Sequence, residues 1–296
     1  MQLLGDYPIT LIHVLKIISE GSMKRIAIAI IHGMSTEEQF YSVELKHRII
    51  EEYIAGGDGR LEDDLMFHEI YWADAIKEEL SSFYGKINYK GDLAYDGLRQ
   101  MFIDYLGSGL AYHDGSRLYT QVQNRVADSL KKFAGHRRVK EEKTPLVVLA
   151  HSFGSIIIQD YIRNMRSAEN HAVSPFEAME TLAGFVTFGS PLAIYARHNE
   201  DLHSPIRVAG DALPDDFKKR TRWLNFYDKD DVVAYPLKGM NEEYNEAVHG
   251  DYEINVGSAA TSWNPACHNG YWEDKDFYKP VARLLGDLLQ PHDIWK

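Results

Sequence analysis

The first strong feature along the chain is an unbroken apolar run from Ile26 to Ile31, opened by Arg25 and closed by His32 and Gly33. A run without alternation predicts a strand covered on both faces. Ser35 stands three residues before Glu38, the spacing of a capping box, and Phe40, Val43, Ile50 and Tyr53 continue an approximately helical stripe. Leu65 to Tyr71 reads as a second strand and Ala73 to Tyr84 as the helix after it. Leu118, Val122, Val126, Leu130 and Phe133 recur at four, four, four and three residues and predict an amphipathic helix, followed by the charged turn His136 to Lys143. Further strands are expected at Pro145 to Ala150, Gly184 to Phe188, Trp223 to Tyr227 and Tyr252 to Val256. Val281, Leu284, Leu285 and Leu288 mark a C-terminal helix. Strands alternating with helices predict an α/β architecture with a mainly parallel sheet.

Gly85 to Gly115 breaks this rhythm. It scatters Tyr89, Tyr95, Phe102, Tyr105 and Tyr112 among glycines with neither period, which predicts a cap or lid insertion with exposed tyrosines. No repeat or Pro/Gly/Ser linker divides the chain, so residues 23–296 read as a single domain carrying that insertion at 85–115. Residues 1–22 read as an N-terminal extension with no assigned role.

Composition narrows the function classes. With 45% apolar and 26% charged residues in 296, the chain is an ordinary globular one. Its net charge of −12 would repel a phosphate backbone or an anionic bilayer, so nucleic acid is not an expected partner. Cys267 is the single cysteine, which excludes an intrachain disulfide framework and any multi-thiolate metal site. The stretch Leu3 to Ile18 carries Asp6, Pro8, His13 and Lys16 and reads as non-targeting. No transmembrane segment is expected, and the location is read as cytoplasmic. No His-Glu-x-x-His spacing occurs, so a metal is not expected.

The chemistry-bearing pattern is Ala150-His151-Ser152-Phe153-Gly154, set between the apolar run Leu146 to Leu149 and an apolar segment containing Ile156, Ile157, Ile158, Tyr161 and Ile162. A nucleophile on a sharp strand-to-helix turn needs small residues two before and two after it, because strand and helix backbones come together there. Ala150, in place of the usual glycine, and Gly154 meet that need. The competing reading is a serine that only caps a helix. Three further features favour the catalytic one. His32-Gly33-Met34 ends the first strand, and in the α/β-hydrolases that this pattern resembles the loop there supplies one backbone N–H of the oxyanion hole and the residue after the nucleophile the other, so Met34 and Phe153 are the expected donors. An acid is offered by Asp228, Asp230 and Asp231 just past a late strand. Asp230 fits an Asp-x-Val-Val spacing and Asp231 a run followed by Val232, Val233, Ala234, Tyr235 and Pro236; Asp231 is the choice. The chain order Ser, Asp, His of the α/β-hydrolases that such a turn resembles would leave His249, His268 and His292; His249 precedes a strand and His292 follows the last helix, so His268 is the expected base. Cys267 beside it reads as a packing residue, since sequence neighbours seldom face each other.

On His32-Gly33-Met34, Ala150 to Gly154, Phe188-Gly189-Ser190-Pro191, Asp230 to Ala234 and His268, the chain resembles the lipase and esterase branch of the α/β-hydrolase superfamily. The resemblance runs from about Lys24 to the C-terminal helix. It implies an α/β-hydrolase fold, no cofactor, a small-molecule or lipid ester substrate and an acyl-serine intermediate. Thioesterase, amidase and acyltransferase chemistry use the same constellation, and a binding module could keep the fold without the chemistry.

Overall fold

The structure is a computed structural model and describes residues 25–34, 39–57, 59–76, 85–91, 111–167, 172–198, 203–257 and 265–289. The elements are β1 (Ile26–Ile31), α1 (Val43–Ala55), β2 (Leu65–Ile70), α2 (Arg117–Ala134), β3 (Leu146–His151), α3 (Gly154–Ser167), β4 (Leu182–Phe188), α4 (Leu192–His198), α5 (Asp215–Lys218), β5 (Arg222–Tyr227), α6 (Glu242–Ala247), β6 (Gly250–Glu253) and α7 (Lys275–Leu289). The six strands form one sheet in the order β2-β1-β3-β4-β5-β6. Every neighbouring pair is parallel.

Alternation along each strand explains why helices cover both faces. Ala27, Ala29 and Ile31 of β1 pack in one core with Val122, Val126 and Leu130 of α2 and Ile157 and Ile158 of α3. Ile26, Ile28 and Ile30 point the other way, into a core with Leu45, Ile49 and Tyr53 of α1 and Val281, Leu285 and Leu288 of α7. β1, β3 and β4 are buried along their whole length, as the continuous apolar runs predict. This parallel sheet between two helical layers is the doubly wound α/β architecture that the alternation of strands and helices predicts. Among the described residues no helix is long and apolar enough to cross a membrane.

Strand order fixes where chemistry can occur. From β1 the chain moves outward to β2 and returns on the other side of β1 to form β3. The two crossovers diverge at the carboxyl ends of β1 and β3, leaving a crevice where open α/β sheets hold ligands. His32-Gly33-Met34 and Ser152 both lie there.

Several expectations need correction. The helix after β1 starts at Val43 with Ser42 at its N-cap, and its buried residues are Leu45, Ile49 and Tyr53. Phe40 and Val43 are instead exposed, because Glu69 of β2 accepts the Ser42 amide at 3.2 Å and sets the start of the helix. Ser35 and Glu38 lie outside the described residues. The last strand is Gly250–Glu253, two residues upstream of the expected start at Tyr252. Of the helix expected over Ala73 to Tyr84, residues 73–75 form a 3-10 turn and 77–84 lie outside the described residues. So do residues 1–24 and, within the expected cap, 92–110 with Tyr95, Phe102 and Tyr105. Tyr112 is not an exposed cap tyrosine. It is buried edge-on against Phe153, with ring centroids 5.3 Å apart, and Gln123 donates to its hydroxyl.

Candidate active site

Ser152 sits immediately past β3 with φ of 51°. This left-handed backbone costs a non-glycine residue about 1–2 kcal/mol, and the surrounding contacts hold it in place. The Ser152 amide donates to the Phe188 carbonyl at the end of β4, and the Ser155 hydroxyl donates to the Ser152 carbonyl. The turn is tight enough that a Cβ on Gly154 would lie 2.5 Å from the His32 carbonyl oxygen, so α3 can follow β3 this closely only with glycine there. Ala150 is fully buried, and its methyl group is accommodated between Ile31 and Thr187 of the flanking strands.

Around Ser152 the structure brings together two side chains from distant loops. His268 Nε2 lies 2.9 Å from Ser152 Oγ. His268 Nδ1 lies 2.8 Å from Asp231 Oδ2. The carboxylate is 0% exposed and the imidazole 16%, so the acid forms the closed end of the row and the histidine its open end. Burial raises the Asp231 carboxyl, but the hydrogen bond and charge of His268, the Val233 amide and the Tyr271 hydroxyl outweigh it and hold it below the usual carboxylate range. Nδ1 therefore carries the proton it donates to Asp231, and Nε2 is free to accept from Ser152.

The neighbouring acids do other work. Asp228 is fully buried and accepts backbone N–H groups from Asp230 at 2.8 Å and Val256 at 2.7 Å, closing the loop after β5. Asp230 contributes its amide to that closure. Cys267 is buried and its thiol is pushed up to about 12, first by burial and then by the nearby aspartates, which makes it a poor thiolate.

The loop after β1 runs directly against Ser152. A Cβ on Gly33 would fall 2.5 Å from Ser152 Cβ and 3.0 Å from Oγ. Met34 follows, half-buried against the core that contains Phe153. His32 holds this loop. The Trp72 amide donates to its Nε2 at 3.1 Å, which leaves the proton on Nδ1 to donate to the Gly33 carbonyl, while the Trp72 indole donates to the His32 carbonyl at 2.9 Å. His151 holds the opposite side. Its Nε2–H donates to the His268 carbonyl at 3.0 Å, and its ring centroid lies 4.9 Å from that of His268. Gly189 has φ of 59°, and a Cβ there would meet His268, His151 and Tyr271 within 3.2 Å, so the Phe188-Gly189-Ser190-Pro191 turn needs glycine to pass beneath His268.

His151, His32 and Tyr271 are contributors that sequence reasoning did not assign. Adjacency to motif residues was the only signal for the first two, and the spacing of three from His268 the only one for Tyr271. Among the described residues no group of three or more His, Cys, Asp or Glu side chains is arranged to hold a metal ion.

Burial lowers His32 to about 4 and His151 to about 3, so both are neutral in the folded protein near neutral pH. Their folded values lie below the unfolded value of about 6.5, so the unfolded chain takes up protons first as pH falls. Stability should fall from pH 6.5 downward, by about 2 kcal/mol per histidine at pH 5. His68 and His249, also lowered by burial, act with the same sign. The lowered Asp231 loses its contribution only below about pH 4, outside this window. Urea unfolding between pH 8 and pH 4.5 should show this decline, shallower in His151→Gln; a flat profile would mean that the two rings titrate in the native state.

No protein-family model matches the chain, and no curated protein matches it. Among solved structures it is similar to a cutinase-like protein from Cryptococcus sp., at 10% identity and a TM-score of 0.42 over 92% of this chain and 99% of that one. It is also similar to phospholipase PlaB from Legionella pneumophila, at 9% identity and a TM-score of 0.29, over 70% of this chain and 38% of that protein.

Proposed function

We propose that the protein is a serine hydrolase that cleaves carboxylic esters, with Ser152 as nucleophile, His268 as general base and acid, and Asp231 as the acid that orients it. The observation that carries this reading is the hydrogen-bonded row from Ser152 Oγ through the two nitrogens of His268 to Asp231 Oδ2. In the reaction His268 Nε2 takes the hydroxyl proton as Oγ attacks the ester carbonyl, and the buried Asp231 stabilises the imidazolium that forms. The amides of Met34 and Phe153, flanking the nucleophile from the β1 loop and from the elbow, receive the charge developing on the carbonyl oxygen. His268 then protonates the leaving alkoxide, and water attacks the acyl-serine by the same steps in reverse.

The choice of an ester over a thioester or amide rests on the motifs that resemble lipases and esterases. The substrate is a small-molecule or lipid ester, and the reaction needs no cofactor. The acidic net charge and lone cysteine fit a cytoplasmic protein that does not bind nucleic acid. Residues 85–115 serve as the cap over the crevice, with Tyr112 acting from beneath as a support for Phe153.

A fluorophosphonate probe tests the reading, since it needs an activated serine rather than any one substrate. The folded protein should become labelled on the peptide containing Ser152, and a short-chain p-nitrophenyl ester should compete. A folded protein that neither labels nor hydrolyses an ester would be a binding module that keeps only the fold.

A further inference from the structure

Asp231 makes more hydrogen bonds than the row to Ser152 requires. Its Oδ1 accepts the Val233 amide at 3.1 Å, and its Oδ2 accepts both His268 Nδ1–H at 2.8 Å and the Tyr271 hydroxyl at 3.0 Å. The direction of the tyrosine proton is fixed by its other partner. The Asp228 amide donates to the same hydroxyl oxygen at 2.8 Å, so the hydroxyl's own proton goes to Asp231. Burial, the foremost cause, holds the phenol far above its usual range, so it remains a donor throughout the working pH range. The ring is fully buried, with Phe188 and His151 each 6.1 Å away between centroids. Tyr271 lies three residues after His268 in the 3-10 segment Pro265–Glu273. Side chains at that spacing eclipse in a 3-10 helix, so one turn delivers both the base and a second donor to its acid.

We propose that Tyr271 is a positioning residue for the Asp231–His268 pair, locking the carboxylate against the imidazole and taking up part of its negative charge. This rests on the catalytic reading of that pair. A carboxylate that already satisfies a hydroxyl pulls less strongly on the imidazolium proton, and losing that hydroxyl should strengthen the pull. The other titratable groups near this pair are His151 from β3, His32 from the β1 loop, Asp228 and Asp230 from the loop after β5, and Cys267 from the segment carrying His268. Among the described residues Tyr271 is the side chain besides His268 that donates to Asp231.

Tyr271→Phe keeps the buried ring and removes only the donor. The expected result is a kcat about tenfold lower with KM within about twofold, together with an acidic limb of kcat/KM moved upward by about half a pH unit or more. Replacing Tyr271 with 3,5-difluorotyrosine, a stronger donor of nearly the same shape, should move the limb downward and guards against a Phe variant that folds poorly. An unmoved limb in both variants would overturn the proposal whatever happens to kcat, because a purely structural role changes rate without changing the proton affinity of the base. The downfield NMR resonance of the His268 Nδ1 proton gives the same titration without substrate. If the wild-type protein is not labelled by a fluorophosphonate, the catalytic reading fails. If it is labelled and the resonance titrates identically in Tyr271→Phe, only the role of Tyr271 fails.

Discussion

Ser152→Ala is expected to lower ester hydrolysis by about 10⁴- to 10⁶-fold while leaving the fold intact. The substitution removes one oxygen from a buried residue whose backbone is held by other groups: its amide by the Phe188 carbonyl and its carbonyl by the Ser155 hydroxyl. Alanine tolerates the left-handed backbone about as well as serine does, so the stability change should stay small. The activity change should be large because no other described nucleophile can replace the lost one. Cys267 is buried and held protonated, and the Ser155 hydroxyl is committed to the Ser152 carbonyl and Ser190. The amides of Met34 and Phe153 would remain, so a small residual rate over water is expected. Turnover of purified, folded Ser152→Ala at the wild-type rate would remove the basis of the proposed mechanism.

The second large effect separates three crowded aspartates. Asp231→Asn should cost up to about 10⁴-fold in kcat. The introduced carboxamide would keep an oxygen for the Val233 amide and turn its NH₂ group towards His268 and Tyr271. That NH₂ would force Nδ1 of His268 to accept, placing the ring proton on Nε2, where it faces Ser152 and cannot take the hydroxyl proton. Asp230→Asn should stay within a few-fold of wild type, because the bond by which Asp230 closes its loop is made by its backbone amide. Asp228→Asn should chiefly lower stability, because a buried carboxylate that accepts two amides would lose an acceptor and gain donors with no place to go. Steady-state kinetics of the three variants beside their urea midpoints distinguishes these outcomes. A crippled Asp230→Asn with a nearly normal Asp231→Asn would move the acid one residue upstream.

What the sequence made legible follows from how each segment is buried. β1 and β3 are covered on both faces, so their apolar runs carry the signal without help from distant residues. The stripe Leu118, Val122, Val126, Leu130 and Phe133 identified α2 because that helix lies flat on the sheet with one face inward. β6 was misplaced for the opposite reason. It is a half-exposed edge strand of Gly250, Asp251, Tyr252 and Glu253, located by the Asp251 carboxylate, which accepts from Asn225 and from the Leu237 and Lys238 amides. Contacts of that kind leave no local period.

The candidate site divides in the same way. The turn at Ser152 is a local structure, so its small residues at fixed offsets were visible, and chain order then reduced the histidines to His268. The meeting of Asp231 with His268 was only one of two close options, because neighbouring carboxylates differ in direction and not in composition. His32, His151 and Tyr271 act through hydrogen bonds to partners 40, 117 and 40 residues away in the chain, a relation no spacing rule expresses.

The separation of the site along the chain also bears on how the protein reaches its folded state. Ser152 and His268 are 116 residues apart, and Asp231 and His268 are 37 apart. Ser152 and Asp231 follow β3 and β5, which are not neighbours in the sheet and are joined through β4, and His268 follows β6. Parallel pairings of this kind close long loops before they gain any contact, so they form late and slowly. On dilution from urea, helix signal should therefore recover before fluorophosphonate labelling does. The interval between the two would time the last assembly step, the docking of the Pro265–Glu273 turn and α7 onto a finished sheet.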